Sequence, residues 1–142
     1  MKKAILWFFP VLLFLFCSCG PQNDHLDKAE IFTLVQENET MLLDCAATEN
    51  YDRAAALAGI DAIDPHPEYV DFRCGGKGIS VSATYYGFYY SPNNQPLDYM
   101  SFANGAELVP DGNGWSCTEP DGADRYYTEK ICDYFYYYES SC

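Results

Sequence analysis

Positive charge is scarce in this sequence. Lys and Arg together number 8 against 21 Asp and Glu, a formal net charge of −13. That balance excludes a nucleic-acid binder, which needs basic patches to neutralise phosphates. It also argues against a domain lying flat on anionic lipid. Long hydrophobic runs are missing too. The apolar stretch Ala4–Phe16 is 13 residues long, whereas a membrane-spanning helix needs about 20. Histidine occurs twice, at His25 and His66. Beyond the N-terminal region there is no CxxC pair and no Cys/His cluster with zinc spacing, so no metal and no cofactor is expected. Catalytic signatures are absent as well. There is no G-x-S-x-G elbow, no His-Glu-x-x-His run and no carboxylate pair suited to glycoside hydrolysis. Asp111-Gly112-Asn113-Gly114 lacks the further ligands of an EF-hand loop and reads as a turn.

What is present begins with an address. Met1-Lys2-Lys3 is a basic start, and the 13-residue apolar run after it suits the core of an export signal. Pro10 disfavours a regular spanning helix. The run ends at Phe14-Leu15-Phe16-Cys17-Ser18-Cys19. A small residue before a cysteine is the pattern cut in bacterial lipoprotein signals, and the cysteine then carries a lipid. Ser18-Cys19 fits this better than Phe16-Cys17, although Phe16 and Cys17 depart from the usual −3 and −2 residues. A conventionally cleaved or uncleaved signal is the alternative. The expectation is a signal over 1–18, lipidation at Cys19, a polar tether over 19–24 and one domain over 25–142. The protein would sit on the outer face of a bacterial membrane, held by its lipid. Without Lys2 and Lys3 the mature chain has 6 basic and 21 acidic residues, a net charge of −15.

Five further cysteines follow: Cys45, Cys74, Cys117, Cys132 and Cys142. Outside the cytoplasm thiols tend to pair, and an odd number leaves at least one over. The alternation of Val70, Phe72 and Cys74 predicts that Cys74 faces inward. If it is bridged, Cys132 or Cys117 is the expected partner.

The elements read as helices followed by strands. Ile31, Val35, Leu42 and Cys45 recur at helical spacing, with Asn38 the polar exception. They predict a helix from about His25 to Ala47, with Asp24 as a cap and Asp27 and Glu30 in its first turns. A shorter helix is predicted over Tyr51–Ala58, ended by Gly59. Strands are expected at Ile60–Ile63, Tyr69–Cys74 and Ile79–Ser91, and a last one at Tyr126–Glu139. Gly75, Gly76 and Gly78 suggest a turn, and Gly87 a bulge or a close backbone approach. Pro110–Gly114 predicts a hairpin between Glu107–Val109 and Trp115–Thr118. This order gives an α+β fold, with the helices packed on one face of an antiparallel meander sheet.

Aromatic residues are abundant, with 13 Tyr and 9 Phe. On a strand, Tyr86, Phe88 and Tyr90 oppose Tyr85 and Tyr89, while Tyr134, Tyr136 and Tyr138 share a face. Only one face can lie under the helices. The other is either cross-strand cladding or a binding platform for an envelope glycan or protein, with Trp115 at its rim. The candidate surface is therefore Tyr85, Tyr86, Phe88, Tyr89, Tyr90, Trp115, Tyr134, Tyr136 and Tyr138.

Four stretches, CGGKG (Cys74–Gly78), YYGFYYSPNNQP (Tyr85–Pro96), DGNGW (Asp111–Trp115) and RYYTEKI…YYY (Arg125–Tyr138), give the chain a resemblance to small uncharacterised lipoproteins of clostridia-like bacteria. These are turn and strand motifs. The resemblance implies a location and a compact fold, and it transfers no functional residue. The expected function is a non-catalytic binding module. A structural or accessory envelope lipoprotein without a ligand is the alternative, and an enzyme the weaker one.

Overall fold

A computed structural model describes residues 26–78, 83–97, 107–119 and 124–141. The predicted signal, tether and lipidation site, together with His25 and Cys142, lie outside the described residues.

Helix α1 runs Lys28–Thr48 and α2 Asp52–Ala55. The cap of α1 is Asp27 rather than Asp24. The Asp27 carboxylate accepts from the Glu30 N–H at 2.8 Å, and the Glu30 carboxylate accepts from the Asp27 N–H at 2.7 Å. This reciprocal capping box satisfies two of the donors that a helix start leaves open. At the other end Glu49 turns left-handed (φ 52°) and its N–H bonds to the Cys45 carbonyl. Ile31, Val35, Leu42 and Cys45 are buried, so the predicted stripe is the packing face. Asn38 returns its amide to the Leu34 carbonyl at 2.8 Å.

Seven strands form one antiparallel sheet: β1 Ala62–Pro65, β2 Val70–Lys77, β3 Thr84–Tyr90, β4 Val109–Asp111, β5 Gly114–Thr118, β6 Arg125–Cys132 and β7 Phe135–Ser141. Their spatial order is β1-β2-β3-β7-β6-β5-β4. The α+β expectation holds, with α1 lying across β3, β7 and β6. Two meander runs make up the sheet. The chain leaves β3 in the middle, crosses to the far edge, and returns through β4, β5 and β6 to place β7 beside β3.

Several boundaries differ from those read in the sequence. Of the glycines after Cys74, Gly75 and Gly76 do not make a turn, and Gly78 follows the end of β2 as a bend. β2 continues through Gly75 and Gly76 because its pairing with β3 slips between Arg73 and Gly75, a bulge that absorbs Cys74. Gly87 sits opposite that bulge. A Cβ there would lie 2.2 Å from the Phe72 carbonyl oxygen, the close approach its position suggested. β1 begins two residues later than expected and includes Pro65. Of the long strand expected from Ile79, the described part is β3, and residues 79–82 lie outside the description.

The last predicted strand is in fact two. Asp133 and Tyr134 form a tight turn between β6 and β7, with Tyr134 at φ 70°. A bulky residue rarely adopts that conformation unaided. Long-range bonds fix it. The Tyr134 N–H donates to Asn94 Oδ1 at 2.9 Å, and its carbonyl accepts from the Ser91 N–H at 2.8 Å.

Both faces of the sheet are buried. On the helix face, Val70, Phe72, Cys74, Tyr86, Phe88, Phe135 and Tyr137 pack with the α1 stripe. Phe72 and Phe88 stack with ring centres 4.6 Å apart. Each fully buried Ile, Leu or Phe contributes about 1.5–3 kcal/mol of transfer free energy. Lys28 ties α1 to the sheet rim. Its ammonium pairs with Glu129 and lies 5.0 Å from the Tyr127 ring centre and 5.3 Å from that of Tyr137. Burial pushes the Glu129 carboxyl up, but hydrogen bonds from Lys28 and Tyr127 outweigh it, so its pKa is lowered overall. On the opposite face, Tyr89, Cys117, Tyr126, Tyr136 and Tyr138 form a second cluster under Leu97, Leu108 and Trp115. Leu97 and Leu108 belong to the connection that crosses from β3 to β4. Both lie at the described ends of that connection and pack on the second face.

The cysteine expectations divide. Cys74 is buried beside Val70 and Phe72, as predicted. Its suggested bridges do not form. Cys132 lies on β6, three strand spacings from β2, about 14 Å. Cys117 is four spacings away and on the opposite face, and a disulfide needs Cα atoms about 4.4–6.8 Å apart. Cys45, Cys74 and Cys132 are free thiols. Burial pushes Cys74 up to about 12 and Cys132 up to about 11, with neighbouring carboxylates adding to both. A protonated, enclosed thiol is a poor nucleophile and oxidises slowly.

Candidate functional site

The nominated aromatic platform does not assemble. Tyr86 and Phe88 belong to the core under the helix, and Tyr89, Tyr136 and Tyr138 to the second core on the opposite face. Trp115 packs against that second core instead of standing at a rim. Tyr85 (42% exposed) and Tyr134 (39%) remain at the surface. They lie at opposite ends of β3 and β7, about 17 Å apart along the strands, too far for one ligand ring to touch both. Tyr134 is also in the turn, so it does not share the face of Tyr136 and Tyr138.

The second-face hydroxyls are spoken for. Thr128 donates its only proton to the Tyr137 carbonyl at 2.9 Å. Tyr89 therefore donates to Thr128 Oγ1 at 2.8 Å and accepts from the Leu97 N–H at 2.9 Å. Tyr136 donates to the Asn94 carbonyl at 2.9 Å. Tyr138 hydrogen-bonds to the Asp71 carboxyl. These rings are tyrosines because each buries its body while its hydroxyl meets a polar group of the covering segment or the neighbouring strand.

Aromatic side chains do converge elsewhere, around an open cleft of about 640 Å³ at one end of the sheet. Three segments build it. The end of α1 brings Ala46 and Glu49, and the chain reversal after it brings Tyr51. The β1–β2 turn contributes Pro65, His66, Pro67 and Tyr69, and the end of β3 contributes Tyr90, followed by Pro92. The turn is closed by the His66 N–H donating to the Tyr69 carbonyl at 2.8 Å. The His66 and Tyr69 rings stack with centres 4.4 Å apart. Tyr51 is held edge-on to Phe72 at 6.2 Å, and Tyr90 lies 5.7 Å from Phe135 and 6.2 Å from Tyr134. The Tyr51 and Tyr90 walls are therefore braced by the core behind them.

Negative charge predominates around the cleft. Burial raises the Tyr51 phenol, and Glu49, Cys45 and Tyr90 raise it further. Burial also raises Tyr69, helped by Asp71, Asp64 and Glu68. Neither phenol ionises near neutral pH, so both offer a neutral donor and acceptor beside a π face. No Lys or Arg among the described residues lines the cleft. Among the described residues no three His, Cys, Asp or Glu side chains come together as a metal-binding group, and no helix is long and apolar enough to cross a membrane.

Of the nine nominated aromatics, Tyr90 is the one that lines this cleft. Tyr51, His66 and Tyr69 were not singled out as binding residues. Their local sequence shows a helix start and a proline-flanked turn, and nothing in it says that the two meet. The run Pro65-His66-Pro67-Glu68-Tyr69 was the available signal, since prolines preset a rigid turn on which two rings are displayed.

Compared with family models, with curated proteins and with solved structures, the chain matches none.

Proposed function

We propose that this chain is a lipid-anchored extracytoplasmic domain that binds an envelope glycan or protein in the end cleft without transforming it. The observation that carries the binding part is the convergence of Tyr51, Tyr90 and the stacked His66–Tyr69 pair on one braced concavity. Rings fixed by packing bind with little loss of side-chain entropy. The cleft lining has no Ser, Thr or Cys nucleophile set beside a base, which favours binding over catalysis. The basic start, the short apolar run and Ser18-Cys19 support the anchor. The acidic surface supports a domain that stands away from anionic lipid, and it speaks against a nucleic-acid partner.

The test is recovery of the anchored protein from its own envelope, with identification of what accompanies it. Wild type and the Tyr51→Ala/Tyr90→Ala double variant are compared, with melting curves to establish folding. A companion enriched with wild type and lost with the folded variant is the expected result. Identical recovery from both would refute the cleft as the site. Intact mass of native material tests the anchor, since an unprocessed or unacylated start contradicts it. A second reading, an accessory lipoprotein with no ligand, draws support from the burial of Tyr86, Phe88, Tyr89, Tyr136 and Tyr138 as ordinary core.

A further inference from the structure

The cleft has a charge preference as well as aromatic walls. Among the described residues its lining contains one carboxylate, Glu49, and no Lys or Arg. Glu49 is also the C-cap of α1, whose last turn carries no basic residue. A helix C-terminus presents carbonyl oxygens whose intrahelical donors have run out, with a partial negative charge of about half an electron. No cation on the helix compensates that charge at this end. Asp64, Glu68 and Asp71 add to the same field around Tyr69. The faces of Tyr51, Tyr69 and Tyr90 carry the negative side of the aromatic quadrupole. Arg73 and His66 act in the opposite sense on Asp71, but the remaining contributions favour a positive guest, and the walls suit a guest with an apolar skin.

Resting on the reading of this cleft as a ligand site, we infer that its ligand is an organic cation, an ammonium or guanidinium group, and not a neutral sugar ring or an anion. A positive group seated there gains cation–π attraction from the rings and charge attraction from Glu49 and the end of α1. An anionic group meets no donor cation and a field of the wrong sign. A neutral sugar satisfies the rings but leaves the charge of Glu49 with nothing to neutralise it. The same chemistry has two sources, a small alkylammonium ion or a Lys or Arg side chain displayed by a protein.

The test is calorimetric titration of the full chain in a non-ionic detergent with four probes. These are tetramethylammonium chloride, a short peptide with one central Lys, the same peptide with that Lys acetylated, and the methyl glycoside of N-acetylglucosamine. The expected result is binding of the first two and not of the last two, weakening as salt is added. Tyr51→Ala or Tyr90→Ala should weaken binding roughly fivefold, while Tyr51→Phe should retain it. Glu49→Gln should weaken the cations roughly twofold to fivefold. A Lys peptide much tighter than tetramethylammonium would place the cation on a protein, and equal affinities would point to a small ion. Binding of the glycoside without the cations would overturn the charge preference and leave the cleft standing as a ligand site. No binding of any probe by the folded protein would overturn the inference. Should the envelope recovery also show no cleft-dependent companion, the binding reading would fall with it.

Discussion

Tyr89→Phe separates a second core from an exposed platform. The substitution keeps the ring, which stacks on Tyr136 with centres 5.5 Å apart, and deletes only the hydroxyl. That hydroxyl is fully enclosed. It donates to Thr128 at 2.8 Å and accepts from the Leu97 N–H at 2.9 Å. Thr128 keeps its own bond to the Tyr137 carbonyl, so its loss is one accepted bond. Leu97 loses the partner of a backbone donor that holds the crossing connection onto the sheet. Leaving a buried group unsatisfied costs about 1–3 kcal/mol, and the partial exposure of Leu97 puts the expected loss near the middle, about 2 kcal/mol. For a domain of this size 1 kcal/mol moves the melting temperature by about 4 °C, so the midpoint should fall by about 8 °C. Circular dichroism measures the midpoint. Hydrogen exchange at the Leu97 amide should accelerate more than exchange at amides in β2, because the contact is local. On an exposed platform the same change would be almost silent. A midpoint within about 1 °C of wild type, with Leu97 exchange unchanged, would refute the two-faced core.

Two further outcomes test the sheet. Gly87→Ala should destabilise by about 3 kcal/mol or more, because its Cβ would meet backbone, the Phe72 carbonyl at 2.2 Å, which cannot rotate away. Gly112→Ala, with nothing within 4 Å but φ at +59°, should cost about 1 kcal/mol, and equal melting curves for the two variants would contradict the bulge geometry. Asp71 tests the polar part of the second face. Burial, with a contribution from Asp64 and against the Tyr138 hydrogen bond, raises its carboxyl to about 6 from 3.8, and its Oδ1 is buried without a hydrogen-bond partner. Between those values the folded state holds more protons than the unfolded one, so this group's contribution to stability falls as pH rises from about 4 to about 6. Asp71→Asn should therefore be more stable than wild type at pH 7 by about 2 kcal/mol and lose that advantage below pH 4, and a pH-independent difference in urea midpoints would rule this out.

Much of the helix side was legible in the sequence. The spacing of Ile31, Val35, Leu42 and Cys45 is a local property, and a stripe that apolar has to be buried. The alternation of Val70, Phe72 and Cys74 worked for the same reason. Asp27-Lys28-Ala29-Glu30 also spelled the capping box, and the earlier acid at Asp24 drew attention from it. The β6–β7 turn was hidden because it contains no Gly or Pro. Tyr134 takes its left-handed geometry from Ser91 and Asn94, some 40 residues away, and no local pattern records such a contact. The two-sided core was hidden differently. With aromatics on both faces and one layer of helices, an exposed face looked inevitable. Leu97, Leu108 and Trp115 pack on that face, and little in the local sequence marks them for it.

Burial on both faces constrains where a ligand can dock. A sheet with a helix on one face and a second buried cluster on the other retains its edges and its ends. Both edges are poor templates for an added strand. β1 is four residues long and includes Pro65, and β4 is three residues long and includes Pro110. Proline removes a backbone donor, and a short edge offers few others. The ends remain, and they differ in character. At the end where α1 begins, the capping box satisfies two of the open donors and the Lys28–Glu129 pair brings charge to the rim. At the end where α1 stops, Glu49 adds negative charge to a terminus that is already negative, and Tyr51, His66, Tyr69 and Tyr90 surround it. An acid at a helix C-terminus is locally unfavourable by about 0.3–1 kcal/mol. A bound cation would turn that local cost into a gain, so Glu49→Lys should stabilise the free domain while abolishing cation binding. Greater stability of that variant with binding intact would break the link between the field of the helix end and the ligand.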